Sequence, residues 1–345
     1  MKQHRTRGRA LGRGLVWLAM LVLVAAAAWG WHDFNRFSRT PLHVTTTGDS
    51  IDIARGSSFK TIVADLRQHG ATRAHPLYWR ALAEQMHVAG KLHAGEYALT
   101  PGITPRALLA NMAAGRVLQR NLTIVDGWTF QELRQALARA KKLKQDSVGL
   151  DDATVMRRIG AAGENPEGRF LPETYAYVKG DSDLDILRRA HQAMVRTLAS
   201  LWAGRDPDLP LATPYDALIL ASIVEKETGR PDERAQIAGV FVRRLRNHML
   251  LQTDPTVIYG MGARYAGNIR RSDLTTDTPY NTYTRPGLPP TPIALPGKAA
   301  LQATLHPADG DALYFVARGD GGHVFSSTLA EHNRKVDCYQ RKRCP

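Results

Sequence analysis

Two stretches of the chain carry far more apolar residues than their surroundings. Residues 14–31 (GLVWLAMLVLVAAAAWGW) hold no charged side chain. As a helix this run would be about 27 Å long, close to the hydrocarbon thickness of a bilayer. Residues 217–224 (ALILASIV) are apolar nearly all round, which predicts a buried core helix beginning at Tyr215 or Asp216 after the cap Thr213. Elsewhere the pattern is amphipathic. Leu184, Ile186, Leu187, Ala190, Met194, Leu198 and Leu201 fall at helical spacing over 183–204, and a second helix is predicted over Asp232–Leu245.

A shorter plan recurs between these stretches: an alternating strand, a glycine turn, then a capped helix. It appears as Ile51–Ile62 around Gly56 with Ser57 or Ser58 as cap. It returns as Leu122–Leu133 around Gly127, with Thr129 and Glu132 as a capping box, and more weakly as Gly95–Leu108, where Thr104 caps and Pro105 suits the first turn. These units predict small α+β modules. They also resemble the LysM type of glycan-binding module; a plain α+β support domain reads equally well.

The polar region 131–165 is predicted helical. Pro166 and Pro172 make 166–177 an ordered loop or cleft wall, where Glu173 either lines the cleft or fixes a turn. The runs Leu250–Gly260, Asp277–Pro290 and Pro292–Gly297 read as loops rich in Tyr, Asn, Gln and Thr. Leu313–Arg318 and His323–Ser327 read as a hairpin about Gly319–Gly322, and a final helix is capped by Ser327 or Thr328.

Charge then narrows the setting. The net charge of +14 favours an anionic partner such as nucleic acid, phospholipid headgroups or cell-wall polymer. Lys2, Arg5, Arg7, Arg9 and Arg13 precede the apolar run and predict a cytoplasmic N-terminus, with Trp17, Trp29 and Trp31 near the interfaces. The run is longer than a usual signal-peptide core, and Trp-Gly-Trp-His is a poor cleavage site, so an uncleaved anchor is predicted. Everything after residue 32 is then exported, and nucleic acid is not expected as a partner: no P-loop, zinc spacing or RNP motif appears. Cys338 and Cys344 stand in the last eight residues and either close a small loop or stay free.

The predicted core helix ends on two carboxylates, Glu225 and Glu227, before Gly229 and Pro231. Such placement is costly unless the acids are paired or functional. Glu227 follows Val224, Ile223 and Leu220 by three, four and seven residues, whereas Glu225 follows Ser222, Ala221 and Leu218. The bulkier stripe predicts that Glu227 is the less solvated and has the higher pKa, and a helix C-terminus pushes the same way. A carboxyl held protonated near neutrality suits a general acid. The bland alternative is pairing of both acids with Arg230, Arg234 or Arg243.

The strings ASIVEKET, LQTDPTVIYGMG, YNTYTRPGLPPTPIALPG and LHPADGDALYFVARGDGGHVFSSTLAEHN, in this order, resemble the YceG-like family of endolytic murein transglycosylases over about residues 40–336. The resemblance implies a peptidoglycan lytic transglycosylase. Glu227, the second Glu of VEKET, stands at the family's catalytic acid, and the Glu-Thr pair is similar to the Glu-Ser of lysozyme-like transglycosylases. It implies peptidoglycan glycan strands as substrate, the inner membrane as anchor site, peptidoglycan synthases as candidate partners, and no metal or cofactor. Supporting candidates, chosen for polarity and position, are Gln252, Asp254, Tyr280, Asn281 and Tyr283, each equally readable as a loop staple. The expected organisation is a basic tail (1–13), a transmembrane helix (14–31), a linker (32–47), a LysM-like α+β domain (48–120), a mixed helix/strand catalytic domain with a lysozyme-like glutamate helix (121–336) and a tail (337–345). The fold class is α+β. A non-catalytic wall-binding scaffold and a hydrolytic muramidase are the alternatives.

Overall fold

A computed structural model describes residues 7–343 apart from 45 and 47, with side chains from residue 13 onward. The chain is mixed α+β and divides into two compact units, Met1–Arg120 and Asn121–Pro345. Residues 1–6 of the basic tail, and Cys344, lie outside the described residues.

In the first unit, helix α1 (Arg7–Arg39) contains the apolar run. Its segment Arg13–Arg39 is long and apolar enough to cross a membrane and buries none of its most apolar window against protein. The helix does not stop at residue 31, where a linker was expected. Residues 32–39 continue it because Phe34 and Phe37, one turn apart, find an apolar surface to pack on. That surface is a core of Ile51, Ile53, Ile62, Val63, Leu66, Trp79, Leu82, Tyr97, Leu108, Leu109 and Met112. It is built by β1 (Ser50–Ile53), α2 (Phe59–Gln68), α3 (Pro76–Gln85), β2 (Gly95–Ala98) and α4 (Pro105–Ala113). β1 and β2 pair antiparallel, Ile51 opposite Tyr97. The caps fall where the side chains predict: Ser58 accepts from Thr61 N, and Thr104 accepts from Ala107 N with Pro105 in the first turn.

The boundary between the units falls within β3 (Gln119–Thr123), which pairs with β4 (Thr174–Val178). Between them lie α5 (Phe130–Arg139), started by the Thr129–Glu132 capping box, and α6 (Asp152–Ile159). The expected helical stretch 131–165 is therefore two short helices joined by a loop, in which Lys142 and Gly149 adopt left-handed backbone angles. α7 (Asp183–Ala203) and α8 (Pro214–Glu227) follow, with Thr213 and Asp216 forming the capping box of α8. Every α8 residue from Ala217 to Val224 is buried, as a helix apolar all round requires. α9 (Arg234–Arg246), α10 (Asp254–Met261), α11 (Arg271–Thr275) and α12 (Lys298–Leu305) follow, and α12, α9 and α10 pack against α8. Residues 254–261, expected as loop, are helical because Pro255 fits the first turn and Val257 and Thr256 are buried. The hairpin β5 (Tyr314–Ala317) and β6 (His323–Ser326) pairs Phe315 with Phe325, and α13 (Leu329–Tyr339) is capped by Thr328. Cys338 is disulfide-bonded.

The segment Pro292–Gly297 threads between these parts. Ile293 N donates to Ser222 Oγ (2.9 Å) and Gly297 N to Glu225 Oε2 (3.0 Å), while Leu295 exchanges backbone bonds with Gly127 and Trp128. Gly168 has φ +79°, and a Cβ there would lie 2.6 Å from Pro292, so only glycine admits the approach.

Candidate active site

The two carboxylates at the end of α8 have opposite surroundings. Glu225 is nearly enclosed: it accepts from Gly297 N, Arg234 lies 3.8 Å away, and its side chain is 7% exposed. Desolvation raises its pKa, opposed by the Gly297 bond and Arg234. It ties α8 to the threaded segment. Glu227, the last residue of α8, pairs with no Lys or Arg among the described residues. Its carboxyl accepts a hydrogen bond from the hydroxyl of Thr253, the residue before α10.

Part of the Glu227 residue still meets solvent, yet its carboxyl is packed deeply enough that loss of water raises its pKa to about 7. The Thr253 bond and His323 lower it, and the charge of Asp254 raises it. The C-terminus of α8 disfavours the anion and the N-terminus of α10 favours it. These helix ends oppose each other, so desolvation decides the sign.

Asp254 begins α10 and accepts a short bond from Tyr283 (2.6 Å); the field of Glu227 reaches Tyr283, whose hydroxyl is held protonated well above its ordinary range. The structure thus brings Asp254 and Tyr283 beside Glu227. The other sequence candidates are engaged elsewhere. Gln252 has φ +51° and accepts from Arg244 Nη1 (3.2 Å). Tyr280 shares a hydroxyl bond with Thr291 (2.8 Å) and packs edge-on against Tyr259. Asn281 is 1% exposed; its amide donates to Asp273, Leu274 and Thr276 carbonyls and its oxygen accepts from Tyr283 N. It holds the loop that presents Tyr283. Glu173 is exposed, and its carbonyl accepts from Ile124 N.

Three functional candidates escaped the sequence reading. Thr253 lies between two residues that did attract notice, and its side chain is directed inward by the turn before α10. His323 is held by buried Glu233 through both its backbone N (3.0 Å) and its ring Nδ1 (2.8 Å), 96 residues after Glu227 in the chain. Glu167 is 5% exposed, accepts from Phe130 N (2.9 Å) and Tyr259 Oη (3.1 Å), and has its pKa raised by desolvation to about 7. It lines a cavity of about 1350 Å³ between α5 and α10. Glu227 itself does not line that cavity, but its neighbour Lys226 does, as does Pro255 beside Asp254. The cavity therefore adjoins the carboxylate cluster, and its walls carry Gln131, Gln135, Asn165, Tyr259 and Tyr265. Among the described residues no group of three or more His, Cys, Asp and Glu side chains is arranged to hold a metal ion.

The YceG-like family profile matches residues 51–338, most of the chain. The chain belongs to the YceG-like family. It is 29% identical over 311 residues to an endolytic murein transglycosylase of Bacillus subtilis (strain 168), covering 84% of each chain. A Streptococcus pneumoniae serotype 2 (strain D39 / NCTC 7466) protein of the same name is 25% identical over 355 residues; the match covers 92% of this chain and 63% of that one. Among solved structures, a yceG-like protein of Listeria monocytogenes superposes with a TM-score of 0.53 at 28% identity, covering 84% of this chain and 99% of that chain.

Proposed function

We propose that this chain is a membrane-anchored, endolytic peptidoglycan lytic transglycosylase in which Glu227 serves first as acid and then as base. The carrying observation is a deeply packed carboxyl that pairs with no Lys or Arg among the described residues, its pKa near 7, with chain neighbours that line a cavity of about 1350 Å³. Relatives named endolytic murein transglycosylase support the substrate class.

Protonated Glu227 donates its proton to the oxygen joining C1 of N-acetylmuramic acid to N-acetylglucosamine. The C1–O bond breaks, and the glucosamine leaves with a free hydroxyl. The Glu227 carboxylate, stabilised by the Thr253 hydroxyl, then takes the proton of the muramic acid's own 6-hydroxyl. O6 closes onto C1, giving a 1,6-anhydro end and returning Glu227 to its protonated form with no water consumed. A pKa near the working pH suits both halves of this cycle. Asp254 is suited to favour the protonated form before cleavage, and Tyr283 to hold Asp254 in place. A one-carboxylate cycle differs from glycosidases that use a carboxylate pair.

On this reading α1 is a single-pass inner-membrane anchor with the folded units outside the cytoplasm. Residues 48–120 are a LysM-like glycan-binding module, a reading supported by the order β1–α2–α3–β2 with antiparallel strands. Residues 121–336 form the catalytic domain with α8 as its lysozyme-like glutamate helix, and synthases that polymerise glycan at the same membrane are its natural neighbours. Digestion of purified sacculi followed by mass spectrometry tests the proposal. The wild-type chain should release anhydro-muropeptides, and Glu227→Gln should lower the rate by about 10²–10⁴-fold. Products heavier by one water would identify hydrolysis, and undiminished release by Glu227→Gln would remove that residue from its role.

A further inference from the structure

Helix α1 runs without a break from its apolar segment into the packing of the first unit. Tyr78 of α3 donates to Asp33, and its ring stacks on Phe34 and Phe37 at centroid distances of 6.3 and 5.5 Å. Phe37 also packs edge-on against fully buried Trp79. These contacts fix α3 against α1. Just below them, Ala27, Gly30 and Trp31 of α1 and Leu77 and Ala81 of α3 wall one apolar cleft of about 510 Å³.

The depth of that cleft follows from helix geometry. Arg13 bounds the apolar run on one side, and residues 14–31 are just long enough to cross the hydrocarbon layer. Ala27 lies about 6 Å before Trp31 along the axis, inside the layer's edge. The α3 residues that share its cleft reach toward the same depth. Leu77 is 67% exposed, although Trp79 and Leu82 on the other side of its helix are fully buried. Arg36, exposed and about 7 Å beyond Trp31, stands at headgroup level, and Arg39 follows one turn later.

We propose that the α1–α3 cleft is a phospholipid-binding surface: acyl chains fill it against Ala27, Gly30, Leu77 and Ala81, while Arg36 and Arg39, on other faces of α1, meet the headgroups of neighbouring lipids. The first unit is seated on the bilayer with Leu77 inserted; it is not held above it on a free tether. An exposed leucine beside an interfacial tryptophan, with arginines one to two turns further out, is the arrangement by which amphipathic surfaces enter the headgroup–acyl boundary. The inference rests on α1 being the membrane span.

The test uses the full chain with Cys338 and Cys344 changed to serine, reconstituted in phosphatidylcholine/phosphatidylglycerol vesicles. A polarity-sensitive fluorophore is attached at Leu77→Cys, at Val22→Cys within the span, or at Lys60→Cys on α2. Lipids brominated near the carbonyl or near the methyl end of the acyl chain serve as quenchers. The label at 77 should shift to the blue and be quenched more by the shallow bromines, the label at 22 more by the deep ones, and the label at 60 by neither. Quenching at 22 with none at 77 would overturn the proposal while leaving the anchor intact. Quenching at neither position would remove the anchor and the proposal together. A blue shift at 77 without lipid quenching, growing with protein-to-lipid ratio, would assign the cleft to a second copy of the chain and also overturn it.

Discussion

Replacing Thr253 with valine should move the pH at which the enzyme loses activity upward. The Thr253 hydroxyl donates to Glu227, and among the described residues this is the one hydrogen bond the carboxyl receives. The side chain makes no capping bond to α10, so valine, nearly the same shape, removes the donor without uncapping the helix. A hydrogen bond to a charged group contributes about 1.5–3 kcal/mol, and 1.36 kcal/mol corresponds to one pH unit. The bond favours the ionised form, so its loss should raise the Glu227 pKa by about one to two pH units from its value of about 7. Glycosidic cleavage requires the protonated acid, so kcat/KM should fall on the alkaline side with a midpoint near 7 in the wild type and displaced upward in Thr253→Val. The assay is anhydro-muropeptide release at several pH values and substrate concentrations well below KM, with thermal unfolding confirming that the variant is folded. An unmoved alkaline limb in a folded Thr253→Val protein would refute the argument that this hydroxyl sets the acid's pKa.

Asp254→Asn should move the same limb the other way, to lower pH, because it removes a neighbouring negative charge that raises the Glu227 pKa. Glu225→Ala should lower stability by about 1–3 kcal/mol, since Gly297 N loses its acceptor, and should leave the position of the limb unchanged; denaturant unfolding and the pH profile together check it. Asn281→Ala should likewise act through stability, with a fall in Tm accompanying any rise in KM, because four hydrogen bonds of a buried amide are lost. Glu167 has a folded pKa of about 7, above its unfolded value, so its contribution to stability is full below about pH 4.5 and is lost as pH rises toward 7. The loss amounts to about 3 kcal/mol, and Glu167→Gln should flatten that part of the stability profile measured by chemical denaturation.

The regular parts of this chain were legible because each is specified locally. Ser58, Thr104, Thr129, Thr213 and Thr328 cap the helices that their spacing predicts, and the α8 pattern of uninterrupted apolar residues could only belong to a buried helix. The raised pKa of Glu227 follows the bulky stripe behind it, but Glu225, expected to meet more water, is itself nearly enclosed because Gly297 and Arg234, distant in sequence, close over it. What the pattern did not disclose depends on contacts distant in sequence. Residues 32–39 look polar enough for a linker, and their helix is explained only by the core that Phe34 and Phe37 reach. Residues 254–261 look like loop until Pro255 is seen starting a turn whose inner face is buried. Glu167 and His323 owe their interest to Tyr259 and Glu233, 92 and 90 residues away. Side chains such as Asn281 illustrate the converse: polarity in an aromatic loop suggested ligand contact, whereas its bonds run to the end of α11 and to its own loop.

The central claim is that Glu227 holds a proton near neutral pH. Infrared difference spectra between the wild type and Glu227→Gln, recorded as a function of pH on the full chain in nanodiscs, isolate the carbonyl stretch of this one carboxylic acid. A protonated band should disappear with a midpoint near pH 7. A band already gone above about pH 5, the ordinary range for a solvated glutamate, would contradict it.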